Sequence, residues 1–457
     1  MSKEQFRYKW WALLGVCLLA FTAFLDATIV NTALPFIQTA LNTTILQLQW
    51  VANIFTIVLS MTLIALGKFA DLWGRKKVFY SGVILFWFAA LGAGLSPNVE
   101  ILVLFRGLQA LGASTILVAS TALLSDVFPE RQRVKAISIY AGVTGFGLMI
   151  GPFLGGVLVA LLGWRWVFWV NLPLIGVGLA ACSFSLKGHV HEVPSTKIDW
   201  LGLLFLILGL GSLLYGIVGG AQSNWTSLEA WISLGIGVAA LALLLIIDAR
   251  KENSLLDLPI FKKKLILLAA LSCAFGGIAS TVFMFFDPLY LRNLRQLSPF
   301  FIGLLIAIIP AAQVLISFVF NRLEKRFGVV NLLFVSNLVA FLAVLLHRPL
   351  QLETPLFFLS IPFFLLGINW GLSNAATMTA VNQVIAIRKI GAAMGTIFTV
   401  WNFVGSLILA ASTAVFHAAG NDFLPAFHNM INFNIAFAAL LVLAAIWIRI
   451  QLKMRPD

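Results

Sequence analysis

The sequence predicts an all-α, polytopic membrane protein: fourteen transmembrane helices, arranged as two six-helix bundles with two additional central spans. Three observations predict it. Of 457 residues, 61% are hydrophobic and 10% charged, against roughly 45–50% and ~25% in soluble domains. Apolar windows of about 20 residues, the length a helix needs to cross the hydrocarbon layer, recur along nearly the whole chain, whereas the short alternating segments of a membrane β-barrel do not. Lys and Arg are also sorted between alternate connections. Spans lie near 10–34, 46–66, 78–95, 99–124, 136–161, 164–186, 200–219, 230–247, 265–286, 299–320, 329–347, 354–380, 391–415 and 431–449. Assigning the connections alternately to two sides puts 25 of the 30 Lys and Arg on the side of the N-terminus and 4 on the other (Arg165, Arg292, Arg295 and Arg348), with Arg106 inside a span. That is the positive-inside pattern with both termini cytoplasmic. The net charge of +13 is therefore topological, and no nucleic-acid partner is expected.

The first apolar run follows MSKEQFRYKW, has no small-residue cleavage site and precedes many similar runs. It reads as span 1, not as a removed signal peptide. Spans 1–6 form a first bundle, residues 1–186. The longest polar break of this half, 187-KGHVHEVPSTKID-199, and a second one, 248-DARKENSLLDLPIFKKK-264, bracket spans 7 and 8. Residues 187–264 are thus linkers plus two extra spans, and 265–457 the second bundle. The two bundles read as diverged copies. Gly67-x3-Asp71-x2-Gly74 follows span 2, and Asn321-x3-Lys325-x2-Gly328 follows span 10 in the same slot, without the acid. Short basic links, RQRVK (131–135) and Arg388-Lys389, again occupy equivalent places.

Few residues offer chemistry. Cys17, Cys182 and Cys273 all fall in spans, with no disulfide framework or CxxC spacing. His189 and His191 read as a solvated loop pair; no metal and no cofactor are expected. Of 17 acids only Asp26 lies well inside a span; Asp126, Asp248 and Asp287 sit near span ends, so spans 9–14 offer no well-buried acid. Arg106 is the one basic residue similarly placed. Asp26 is nine residues before Pro35 at the outer end of span 1, and Arg106 nine after Pro97 at the outer end of span 4. At ~1.5 Å per residue both lie roughly 13 Å deep. An ionisable residue at depth is by default a functional candidate. The pair reads either as a fixed structural ion pair or as a proton site, because a carboxylate's charge state answers to its solvation and to neighbouring charge. Asn31 and Gln109 extend the polar path. Gly147, Gly151 and Gly155 repeat every four residues in span 5, beside Pro152 and Gly156, making a smooth face for close helix approach. Trp164, Trp166 and Trp169 suit an aromatic belt.

Several of these segments resemble one family. The stretch 67-GKFADLWGRKK-77 resembles the signature loop of the major facilitator superfamily, in Gly67, Asp71, Gly74, Arg75 and Lys76. The six-two-six plan, the segments around Asp26 and Arg106, 163-GWRWVFWVNLP-173, 257-DLPIFKKK-264 and 296-QLSPFFIGLLIAIIPA-311 resemble its fourteen-span drug:proton antiporters, the EmrB/QacA type. The run Gly147-x3-Gly151-Pro152-x2-Gly155-Gly156 resembles that superfamily's antiporter motif, which is associated with export. The resemblance implies coupling roles for Asp26 and Arg106. It also implies a latch at 67–77, with Asp71 finding a positive partner at the start of span 13 near Gly391, and a midplane substrate site between the halves. Basic side chains at the C-terminal end of span 2 suit its dipole.

The expectation is a proton-coupled exporter of amphipathic small molecules, multidrug efflux by alternating access, energised by the proton gradient in the cytoplasmic membrane. Export of one endogenous metabolite is the alternative. With no buried acid in spans 9–14, a dicationic substrate is disfavoured. Phe283, Asn369, Trp370, Asn374, Trp401 and Asn402 are cavity candidates, although a phenylalanine among 39 is more often lipid-facing or packed. An enzyme would need a metal cluster or a nucleophile–base pair at depth, where only Asp26 and Arg106 are available. A monomer is expected. Some relatives of this type work with a periplasmic adaptor protein; no sequence feature here requires one.

Overall fold

The computed structural model describes residues 3–185, 199–248, 258–385, 390–420 and 422–454, and among these no strand occurs. Two compact units are built from them. Unit 1 comprises Met1–Thr43, Trp50–Ile198 and Ser298–Leu304; unit 2 comprises Thr44–Gln49, Asp199–Leu297 and Leu305–Asp457.

The first part of the chain forms α1 (Lys3–Ala40), α2 (Ile45–Trp73), α3 (Arg75–Leu95), α4 (Val99–Val127), α5 (Glu130–Leu162), the single turn α6 (Trp166–Trp169) and α7 (Asn171–Ser185). The hairpin α8 (Trp200–Gln222) and α9 (Leu228–Asp248) follows. Next comes a span broken in the middle, α10 (Lys264–Ile278), a π-helical turn (Ala279–Phe283) and α11 (Met284–Asn293). The remaining helices are α12 (Pro299–Ile306), α13 (Ile308–Phe327), α14 (Val329–His347), α15 (Leu356–Val384), α16 (Ile390–Ala418) and α17 (Phe423–Met454). Taken as continuous runs, fourteen of these are long and apolar enough to cross a membrane, which makes this an integral membrane protein with the predicted number of spans.

The internal repeat is visible in the backbone. Gly74 joins α2 to α3 at φ 96°, and Gly328 joins α13 to α14 at φ 75°, a region that favours glycine. Each donates its N–H four residues back (to Ala70 O, 3.0 Å, and Glu324 O, 2.8 Å) and accepts from four residues on (Val78 N, 3.1 Å, and Leu332 N, 3.2 Å). One glycine therefore ends one span and starts the next in both copies. This also corrects one expectation. Arg75, Lys76 and Lys77 form the first turn of α3, not the last turn of α2, so the helix dipole beside them opposes their charge. Arg75 instead meets the carboxylate of Asp126, near the end of α4, at 3.2 Å.

The helices outrun the predicted spans. Pro35 lies inside α1, which continues to Ala40, so it does not mark the outer end of span 1. Within unit 1 the glycines of α5 lie on α1. A Cβ on Gly147 would stand 2.8 Å from Phe21 O and one on Gly155 2.6 Å from Ile29 O, while one on Gly151 would overlap the Thr28 hydroxyl. Gly156 faces Pro299 O and Gly303 instead. Close backbone approach is how helices associate where lipid is as apolar as leucine. Pro152 leaves Leu148 O without its helical N–H donor. The Thr28 hydroxyl of α1 donates to that carbonyl at 3.2 Å, and Thr32 donates to Pro152 O at 3.1 Å, repairing the broken ladder as threonines do in membrane helices.

Candidate functional site

Unit 1 encloses a hydrogen-bonded cluster of charged and amide side chains. Asp26 sits on α1, Arg106 and Gln109 one turn apart on α4, and Asn171 at the start of α7; Asp26, Gln109 and Asn171 are 0% exposed and Arg106 2%. Spacing i, i+3 puts Arg106 and Gln109 on one face. Arg106 Nη1 donates to Asp26 Oδ2. Gln109 Nε2 (3.1 Å) and Asn171 Nδ2 (2.8 Å) both donate to Asp26 Oδ1. Arg106 Nη1 also donates to Gln109 Oε1 (3.1 Å) and its Nε to the Val51 carbonyl (3.3 Å). The Phe55 ring lies 4.3 Å and the Phe168 ring 5.9 Å from the guanidinium carbon, within cation–π range. Every oxygen of the carboxylate thus has a donor, and one charge of each sign is buried, so the cluster is neutral as a unit.

That neutrality has a chemical consequence. A proton added to Asp26 turns an acceptor into a donor and leaves Arg106 with positive charge and no counter-charge in an apolar interior. Such a charge is costly, so protonation and the geometry of the cluster are linked. Asp26 and Arg106, the two ionisable residues placed well inside their spans by sequence, do meet, although Pro35, from which the depth of Asp26 was counted, lies inside α1; Gln109 joins them. Asn171 was missed as a site residue. In the sequence it stands out only as an asparagine within span 6, in the tryptophan-rich segment 163–173.

The remaining candidates separate. Of the loop 67–77, the side chain of Asp71 and the surroundings of Gly67 lie outside what is described, as do those of Gly391; Arg75 pairs with Asp126, and Lys76 Nζ stands 5.9 Å from the Tyr80 ring. His189 and His191 are also outside the described residues. In unit 2, Asn369 is fully buried and donates to Ser336 O (3.1 Å) and Ser336 Oγ (3.0 Å). Trp370 and Trp401 meet edge to face at 6.5 Å, Phe398 stacks on Trp401 at 5.9 Å, and Trp401 Nε1 donates to Ser280 Oγ at 3.2 Å. Asn402 donates to Phe398 O at 3.0 Å. Asn31 and Asn374 are half-buried. Phe283 is fully buried on the His347 ring, 4.2 Å between centroids.

One expectation is overturned. Spans 9–14 do contain a well-buried acid: Asp287 is 0% exposed, with the His347 ring of α14 at 3.6 Å. The span carrying it runs to Asn293, seven residues past its predicted end at 286, with Pro288 inside α11 and not at its end. The argument against dicationic substrates loses its ground with it.

The sequence model of the Major Facilitator Superfamily matches residues 16–410. The multidrug resistance protein Stp of Mycobacterium tuberculosis is 33% identical over 309 residues, 67% of this chain and 57% of Stp, so the match spans little more than half of that relative. The riboflavin transporter RibZ of Clostridioides difficile is 27% identical, covering 90% of this chain and 88% of RibZ. The crystal structure of the POT family transporter PepTSo superposes with a TM-score of 0.73 over 98% of this chain and 99% of that one, at 17% identity, a likeness of fold alone. Fourteen apolar spans, a repeated glycine-linked helix pair and a sequence match over most of the length converge: the chain belongs to the Major Facilitator Superfamily.

Proposed function

We propose that this chain is a proton-coupled exporter of amphipathic small molecules, working by alternating access in the cytoplasmic membrane with both termini on the cytoplasmic side. Family membership puts it among transporters, not enzymes. The observation that carries the reading is the sealed Asp26–Arg106 cluster, whose charge balance ties proton binding to geometry. With the cytoplasmic side open, Asp26 is deprotonated, held by Arg106, Gln109 and Asn171, and substrate enters. With the external side open, substrate leaves and Asp26 takes up an external proton, which frees Arg106 to rearrange. Each charge moved across the membrane is worth about 2.3 kcal/mol per 100 mV, enough to bias the cycle. Similarity to Stp, whose name denotes multidrug resistance, favours varied lipophilic substrates.

The match to RibZ over most of both chains favours a second reading, export of a single metabolite. Competition by unrelated lipophilic compounds separates the two, since a dedicated exporter is inhibited only by analogues of its substrate. Substrate-induced proton release from proteoliposomes tests the coupling. Wild type releases protons on substrate addition and Asp26→Asn does not; undiminished release from that variant would refute the assignment.

A further inference from the structure

We infer that Asp287 and His347 form a second proton-binding site, enclosed within unit 2 and chemically independent of Asp26. His347 Nδ1 lies 2.7 Å from the Ala343 carbonyl. A carbonyl only accepts, so Nδ1 carries the ring's proton. The other nitrogen, Nε2, then points a bare lone pair at Asp287 Oδ2, 3.6 Å away. Neither oxygen of Asp287 and not Nε2 of His347 has a hydrogen-bond partner, and all three atoms are sealed from solvent. An ionised carboxylate facing a lone pair in an apolar interior is an arrangement with nothing to hold it together. One proton taken from water resolves it. The pair passes from carboxylate plus neutral imidazole, net −1, to a net-zero pair, with the proton on the carboxyl donating to Nε2 or on Nε2 donating to the carboxylate.

The surroundings leave that proton to these two residues. Phe283 and Phe363 wall the imidazole at 4.2 and 5.9 Å, and α15, which carries Phe363, has no titratable residue in its whole length. On α10, Cys273 contacts Thr377. Beyond Asp287 on its own helix, Tyr290 lies within electrostatic reach of both Asp287 and Arg295, but its hydroxyl donates to Gln351 O at 2.8 Å. Arg295 also donates to Gln351 O and to Leu352 O, and Arg292 to Leu297 O. Past the end of α14, Arg348 donates to Asn432 Oδ1 at 2.8 Å. On α16 His417 is exposed, and on α17 His428 Nε2 meets Leu350 O at 2.9 Å. The π-helical turn Ala279–Phe283 ends on the phenylalanine that stacks on His347. Irregular turns of this kind are frequent at functional positions, and here one adjoins the pair.

The test is nuclear magnetic resonance of the full chain, labelled with nitrogen-15 at its five histidines and purified in detergent; His347→Gln assigns the signal. Followed over about pH 5 to 8, the window in which an imidazole ordinarily changes charge, the wild-type His347 signals should show one step as the pair takes up its proton. Asp287→Asn should displace the midpoint by more than about one pH unit, as expected of strongly interacting sites. Asp26→Asn should leave it in place, so that failure of this inference and failure of the proposed coupling role of Asp26 give different results. A His347 signal without a step over that range would overturn the site, as would a midpoint unmoved by Asp287→Asn. Should Asp287→Asn not fold, the wild-type titration decides alone.

Discussion

Removing one charge from the unit 1 cluster should cost more than removing both. Arg106→Met leaves Asp26 fully buried with only two amide donors, and breaking a buried ion pair typically costs about 3–5 kcal/mol because the remaining charge is stranded. The double variant Asp26→Asn with Arg106→Met strands nothing and should recover most of that loss, although it should not couple protons. Thermal survival of monodisperse protein in detergent measures both, and equal losses in the single and double variants would contradict a sealed, mutually compensating pair. Asn171→Ala removes one of the two amide donors on Asp26 Oδ1 and should cost about 1.5–3 kcal/mol, the range for a hydrogen bond to a charged group. Its effect in the same assay separates a partner of the carboxylate from a residue that merely fills space. At this scale the sequence was readable where a residue type was out of place, as with one acid and one base well inside apolar spans. It was not readable where the partner is ordinary, as with Asn171, or where a span end was misjudged, as with Asp287.

The α1–α5 contact shows what a helix face needs, and how far a repeat of small residues foretells it. Gly147, Gly151 and Gly155 were legible as a smooth face from their spacing, but the face they touch was not. That depends on Thr28 and Thr32, which answer the carbonyl exposed by Pro152 and the proline's own carbonyl. Gly151→Leu should wedge the two helices apart, because even a Cβ meets the Thr28 side chain and lies 3.1 Å from Ile29 N. Gly142 and Gly145 have no atom within 4 Å of the same position. Gly142→Ala should therefore be tolerated and add roughly 0.5–1 kcal/mol through the lower backbone freedom of alanine. The fraction of folded protein retained after heating compares the two. A Gly151→Leu protein as robust as Gly142→Ala would mean that this face is not under the constraint the packing implies.

The whole-molecule property most open in the sequence is the sidedness of the membrane-spanning chain, since topogenic charge acts during insertion and needs no knowledge of packing. The span count was legible for the same reason, hydrophobic length being a local quantity. Breaks inside a span, such as the π-helical turn between α10 and α11, depend on neighbours and left no mark in the apolar pattern. Sidedness can be read with single cysteines, because Cys17, Cys182 and Cys273 are all buried and contribute little background. Thr226, between α8 and α9, and Glu130, at the start of α5, are both exposed, and the charge distribution assigns them to opposite sides. Replacing either leaves every Lys and Arg in place. A membrane-impermeant thiol reagent should label Thr226→Cys and spare Glu130→Cys in intact cells, and do the reverse in inside-out vesicles. If both label from the same side, the number of crossings between residues 130 and 226 is even. The division of 25 basic residues against 4 would then not describe how this chain lies in the bilayer.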